Sequence, residues 1–289
     1  MIKNYFKLFR ITHWIKNFFV FIPLIFSKHL LDQNYFLQVV IGFFAFSLVS
    51  SLVYVFNDIS DADADRKHPQ KKLRPIASGV ISQRQATAGM FLLILLVILI
   101  TFHVNTSFIL ILVSYVIINI LYTLYLKNIV IVDLACISMG FLLRVIGGAL
   151  IINIYISSWL ILTTLFISIF LAVMKRRSEI VLNAENETRK VLGEYNLSFI
   201  DQVSSISAAC VIICYALYSV AERTVEYFHT ENLVYSSIFV VFGIFRYMYL
   251  VFKKSKGENP TEIMLTDVPM IANLVFYGVT VYFIIYLGV

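Results

Sequence analysis

NDISDADADRKHPQKKLRPIASG, Asn57–Gly79, sets four aspartates and six Lys, Arg or His residues between two long apolar stretches. Each flank is long enough to lie in a bilayer, so the island is charge concentrated at a membrane surface. On a helix each residue turns the chain by about 100°, which brings Asp58, Asp61 and Asp65 within an arc of about 60° and sends Asp63 to the other side. Three carboxylates on one face suit a hard divalent cation. Mg2+ takes a few carboxylate oxygens, keeps some waters and offers its other positions to phosphate oxygens, so a diphosphate is the natural partner. Asp58, Asp61 and Asp65 are therefore the candidate metal ligands and catalytic residues, with Asn57 beside them. Arg66, Lys71 and Arg74, from the basic run that follows, are placed to neutralise phosphate charge that the metal leaves. The alternative is a solvated loop of mixed charge, which gives no reason for three acids to share a face.

The rest of the chain fits a membrane setting. At 289 residues, 60% hydrophobic and 14% charged, with mean hydropathy +0.86, it reads as a polytopic membrane protein forming one all-α domain over 1–289. Apolar spans are expected at 17–34, 36–56, 85–103, 106–126, 129–152, 157–174, 202–221, 233–252 and 268–288, nine in all. Basic residues gather in the N-terminus (Lys3, Lys7, Arg10, Lys16), in 57–84, in 175–201 and in 253–267, whereas the opposite loops hold Lys28 and Arg223. With nine spans all four basic segments face the cytoplasm and the C-terminus lies outside. No signal peptide is expected, because the basic N-terminus leads into Phe18–Phe26 without a small-residue cleavage pattern. A net charge of +6 on the cytoplasmic face favours anionic lipid headgroups and anionic substrates, and nothing in it points to nucleic acid. Cys136, Cys210 and Cys214 fall inside spans without ligand spacing and read as small core residues.

A second charged island, KRRSEIVLNAENETRKVLGEY, runs from Lys175 to Tyr195 after the sixth span. Lys175 with Glu179, and Glu185 with Arg189, are four apart and share helix faces. These are either surface ion pairs or a cationic edge at which a phosphate arrives. Between the fourth and fifth spans LYTLYLKNIVIVD offers Tyr122, Tyr125, Lys127, Asn128 and Asp133. Interfacial tyrosines and a snorkelling lysine are commonplace, but a carboxylate such as Asp133 inside a span needs a partner or a cavity. Arg144 lies three helical turns beyond Asp133, followed by Gly147 and Gly148, and is either a site residue or a structural pairing. Arg246 is expected to snorkel. Of the histidines, only His68, inside the charged run, bears on the site.

NDISDADAD followed by RPIASG resembles the NDxxDxxxD motif and downstream RP-x-x-SG of the UbiA-type prenyltransferase superfamily. The resemblance implies nine transmembrane helices around a polar cavity on the cytoplasmic side, and Mg2+-dependent transfer from a prenyl diphosphate to an aromatic ring. Typical members carry a second aspartate-rich motif after the sixth helix; here KRRSE stands in its place. With HWIKN (His13–Asn17), DRKHPQKKLRPIASG, FLLRVIGG (Phe141–Gly148), Arg189 and Tyr195, this is similar to the decaprenyl-phosphate phosphoribosyltransferase branch. That branch implies 5-phosphoribosyl 1-diphosphate as the soluble donor and a polyprenyl phosphate in the bilayer as acceptor. Lys175 and Arg176 would then serve the donor's ribose 5-phosphate, with Glu179 and Tyr195 as further substrate-binding candidates. Lys16, Lys127 and Arg189 are candidates for the lipid phosphate. The alternatives are prenyl transfer to an aromatic or isoprenoid acceptor, and a transporter or lipid-binding membrane protein; the latter is disfavoured because the charges lie at one interface and not near the midplane.

Overall fold

The computed structural model describes residues 2–67, 71–182, 193–254, 263 and 266–288. Among the described residues all regular structure is helical, and eight helices are long and apolar enough to cross a membrane. They are α1 Gln33–Ser60, α2 Gln83–Thr101, α3 Thr106–Leu124, α4 Val132–Ile151, α5 Ser158–Leu182, α6 Leu197–Val220, α7 Ser237–Lys254 and α8 Val268–Tyr282. Short polar side chains start several of them. Asp32 accepts from the Asn34 N–H of α1 at 2.9 Å, Ser82 and Gln85 form a reciprocal capping box on α2, and Asn105 accepts from Phe108 of α3 at 2.9 Å.

The expected first span, 17–34, takes a different form. A 3-10 helix, Ile11–Phe21, runs into one α-turn, Ile22–Ile25, with a proline in its first turn. Such runs are usually three or four residues long, because side chains at i and i+3 eclipse one another. Here the eclipsed row is used. Trp14 donates to Ser51 Oγ at 3.0 Å, Asn17 donates to Ser47 Oγ at 3.0 Å, and Val20 is fully buried. A period of three keeps Trp14, Asn17 and Val20 on one face along α1, where a period of 3.6 would carry them apart.

The chain divides into two compact units, Met1–Tyr125 with Leu143–Tyr155, and Leu126–Leu142 with Ile156–Val289. In the first, Val20, Leu24, Val39, Phe46, Phe108, Leu112 and Ile151 form the core. Gly148 allows the closest approach in it: a Cβ there would meet the Val20 carbonyl oxygen at 2.0 Å. In the second unit Phe170, Met174, Val211, Ile244, Tyr247 and Leu250 pack together. Many large apolar side chains stay exposed, Phe91, Leu95, Leu110 and Ile117 among them, which is unfavourable against water and suits lipid. Arg246, on α7, is partly exposed. It grips Asp267, the N-cap of α8, through two bonds of 3.0 and 2.9 Å. Cys136, Cys210 and Cys214 are free thiols.

Candidate functional site

In the first unit the acidic motif straddles a break between helices. α1 ends at Ser60 with Asp61 as its C-cap, and a second helix, Ala62–Lys67, begins at once. The break preserves the expected sidedness. Asp58 and Asp65 are buried at 2% and 3% exposure, while the Asp63 side chain is 91% exposed. Arg66, expected at the phosphate, turns outward with it in a surface i,i+3 pair, bonding Asp63 at 2.7 Å with its own side chain 54% exposed.

Arg74 closes the motif. Its Nη1 reaches Asp65 Oδ2 at 2.6 Å and Asp58 Oδ1 at 3.2 Å. The 3-10 turn Lys71–Leu73 and the following RPIASG segment hold it there. Ile76, 2% exposed, plugs this loop into a core with Leu8, Val55 and Leu93. Gly79 has φ 78° and donates to the Ile76 carbonyl at 3.1 Å, a left-handed turn that favours glycine. Lys71 lies on the same short turn. Asn57 receives a hydrogen bond from the buried Thr123 hydroxyl of α3.

Two carboxylates that meet one guanidinium nitrogen offer hard oxygen donors to a common point, and Mg2+ is often held by one or two carboxylates plus substrate phosphates. Asp58 and Asp65 thus fit a divalent cation, with Asn57 beside them. Asp61, the third expected ligand, is the C-cap between them; among the described residues no three His, Cys, Asp or Glu side chains gather around one point.

Arg10 is the residue of this site that the motif reading missed. Its Nη2 lies 2.5 Å from Asp58 Oδ1 and its guanidinium covers the Tyr54 ring at 4.7 Å. The sequence counted it only as one more basic N-terminal residue. Further along the same unit Arg144 is buried in α4. Its Nε donates to Asn17 Oδ1 at 2.7 Å and its Nη2 to Tyr115 and Ser50 hydroxyls at 3.0 and 3.2 Å. Lys16 is half-buried on the 3-10 helix.

The second unit holds the other polar constellation. Asp133, fully buried, accepts from Arg176 Nε at 2.8 Å and from the Tyr195 hydroxyl at 2.6 Å. Tyr195 in turn accepts from the Ile131 N–H at 2.8 Å. Burial, and after it the hydrogen bond to the Asp133 carboxylate, pushes the Tyr195 phenol well above its ordinary value. Arg176 is 1% exposed and also holds Glu179. Its partners in the structure are internal, because one step along α5 turns the side chain by about 100° and takes it from the edge into the packing. Lys175, on the outer side, is 42% exposed and 3.8 Å from Glu179. Arg177 pairs with Asp201 at 2.7 Å and stacks on Phe252 at 3.9 Å. Lys127 is half-buried on the Leu126–Asn128 turn. Arg189, Glu185 and His68 lie outside the described residues.

Comparison with known proteins identifies the family. The family model for the UbiA prenyltransferase family matches residues 18–266. The decaprenyl-phosphate phosphoribosyltransferase of Mycolicibacterium smegmatis is 30% identical over 279 residues, covering 92% of this chain and 87% of the relative. That of Mycobacterium tuberculosis is 32% identical over 232 residues, with 80% and 76% covered. Among solved structures, a UbiA homolog from Archaeoglobus fulgidus bound to GPP and Mg2+ superposes with a TM-score of 0.71 at 17% identity, over 98% of this chain and 99% of the other. An acidic pair at a helix break, long apolar helices, and a family match over most of the length converge on one conclusion: the chain is a multi-pass membrane enzyme that belongs to the UbiA prenyltransferase family.

Proposed function

We propose that this enzyme transfers 5-phosphoribose from 5-phosphoribosyl 1-diphosphate to a polyprenyl phosphate. The observation that carries the reading is the end of α5. Where the prenyl-transferring pattern has a second acidic motif, this chain has Lys175, Arg176 and Glu179, with a buried carboxylate, Asp133, held by Arg176 and Tyr195. That arrangement suits an anionic donor better than a second metal. The names of the relatives, at 30% and 32% identity, support the same donor.

Asp58 and Asp65, with Asn57, would hold Mg2+ and through it the diphosphate. Bound there, the ion supplies Lewis-acid stabilisation of the charge that develops on the leaving group. Arg74 and Lys71 neutralise the remaining diphosphate charge. A lipid phosphate oxygen forms the new bond to ribose C1 as the C1–O bond to diphosphate breaks, and diphosphate leaves with the electron pair. The lipid phosphate is ionised near neutral pH, its second pKa being about 6, so no strong general base is needed. The chain's own contribution is position and charge. Lys175 binds the ribose 5-phosphate, Arg176 holds Glu179 in place beside it, and Lys16, Lys127 and Arg189 serve the lipid phosphate.

The donor is soluble and cytosolic, and the distribution of the four basic segments supports a cytoplasmic face for the charged islands. This orientation needs a ninth crossing. The run Ile11–Ile25 supplies about 28 Å, since 3-10 residues rise about 2.0 Å each and α residues about 1.5 Å, close to the roughly 30 Å of a hydrocarbon core.

Purified protein given labelled phosphoribosyl diphosphate and polyprenyl phosphate, or prenyl diphosphate and an aromatic acid, tests the proposal. Turnover of the first pair is expected. Turnover of the second pair alone would make this an aromatic prenyltransferase.

A further inference from the structure

Arg10 lies closer to Asp58 than the motif arginine does. Its nitrogen stands 2.5 Å from Asp58 Oδ1, against 3.2 Å for Arg74. It reaches that position from a strained backbone: φ 48° and ψ 49° put it in the left-handed region, which residues with a Cβ rarely use. Strain of this kind persists where the surroundings fix it, and it clusters at functional sites. The side chain is 21% exposed while Asp58 is 2% exposed, so the cation lies on the open side of the carboxylate.

Two arginines, Arg10 and Arg74, neutralise two carboxylates, Asp58 and Asp65. A divalent cation entering this balanced cluster must displace or repel an arginine, and an arriving diphosphate gives a displaced guanidinium new oxygens to bind. We infer that Arg10 is a resident counter-ion that yields Asp58 to the metal and takes up a diphosphate oxygen. Metal and diphosphate then favour each other's binding, and by linkage the coupling is the same in both directions. This rests on the reading of Asp58 and Asp65 as metal ligands.

The full chain in detergent micelles is titrated with Mn2+ alone, followed by its paramagnetic resonance, and then with inorganic diphosphate at saturating Mn2+. Arg10→Met should bind free Mn2+ about tenfold tighter or more, since a unit charge a few ångströms away has been removed. It should bind diphosphate about tenfold more weakly. The opposite signs are the signature, because a merely structural role weakens both or neither. Arg10→Gln, uncharged but still able to hydrogen-bond Asp58, should shift both constants the same way and stands in where Arg10→Met does not fold. Unchanged or weakened Mn2+ binding in the folded variant would overturn the role of Arg10. Asp58→Asn separates the two levels: if it abolishes Mn2+ binding while the Arg10 variants show no reversal, the metal site stands and the counter-ion inference fails. If it leaves Mn2+ binding untouched, both fail.

Discussion

Asp58 and Asp65 sit on different helices and meet at one nitrogen of Arg74, at 3.2 and 2.6 Å. Neither is exposed beyond a few per cent, so the acidic motif is folded around its own cation before any substrate arrives. Buried carboxylates without such partners would be costly, and the position of the guanidinium marks where positive charge is wanted.

Asp58→Asn and Asp65→Asn should each lower turnover by about two to three orders of magnitude, the scale of losing one electrostatic contribution to the transition state. Asp61→Asn, at the C-cap between the helices, should also lose activity. Asp63→Asn should leave turnover near that of the unmodified protein, because Asp63 faces solvent with Arg66. Steady-state rates for the four variants check this. Equal damage from Asp63→Asn would contradict the sidedness of the motif.

Lys175 and Arg176, neighbours in sequence, should behave differently. Losing a charged hydrogen bond costs roughly 1.5–3 kcal/mol, so Lys175→Ala should raise the Michaelis constant for the donor by about one to two orders of magnitude and leave that for the lipid unchanged. Arg176→Ala strands the buried Asp133 carboxylate, and breaking such a pair costs about 3–5 kcal/mol. Thermal unfolding in detergent should show a large drop for Arg176→Ala and little for Lys175→Ala.

Alkaline pH should loosen the second unit through Tyr195. Its phenol is raised in the folded protein by burial and by its bond to Asp133, so the stability it contributes is full below the unfolded value of about 10 and is lost as pH rises from there towards the folded value. Unfolding midpoints measured from pH 9 upward should fall less steeply in Tyr195→Phe than in the unmodified protein.

Gly148→Ala should be severely destabilising, since its new Cβ would lie 2.0 Å from the Val20 carbonyl oxygen and 2.9 Å from its carbon, and backbone cannot move aside as a side-chain tip can. Gly278→Ala is the control. That position on α8 has open space around it, and alanine gains about 1 kcal/mol over glycine in a helix. Opposite shifts in melting temperature are expected.

The eight long spans were legible because runs of about twenty apolar residues have few other uses. The first was not, since hydropathy carries no sign that Trp14, Asn17 and Val20 will adopt a period of three against α1. Asp63 was correctly turned outward by helical spacing alone, and spacing survived the break because Asp61 caps one helix as the next begins. At Arg66 and Arg176, basic residues expected at the substrate, spacing carried no sign of the acids within the protein that each of them binds. Arg10 was unreadable for another reason: it meets Asp58 across 48 residues of chain, and only the fold brings them together. Its position three residues before the HWIKN stretch was the available signal.

The mass of the lipid product tests the central claim most directly. Purified protein is given Mg2+, both donors, polyprenyl phosphate and an aromatic acid in one vessel, and the products are separated by mass. Polyprenyl phosphate heavier by one phosphoribosyl group, with the aromatic acid unchanged, is the expected result. Unmodified polyprenyl phosphate together with a prenylated acid would contradict it.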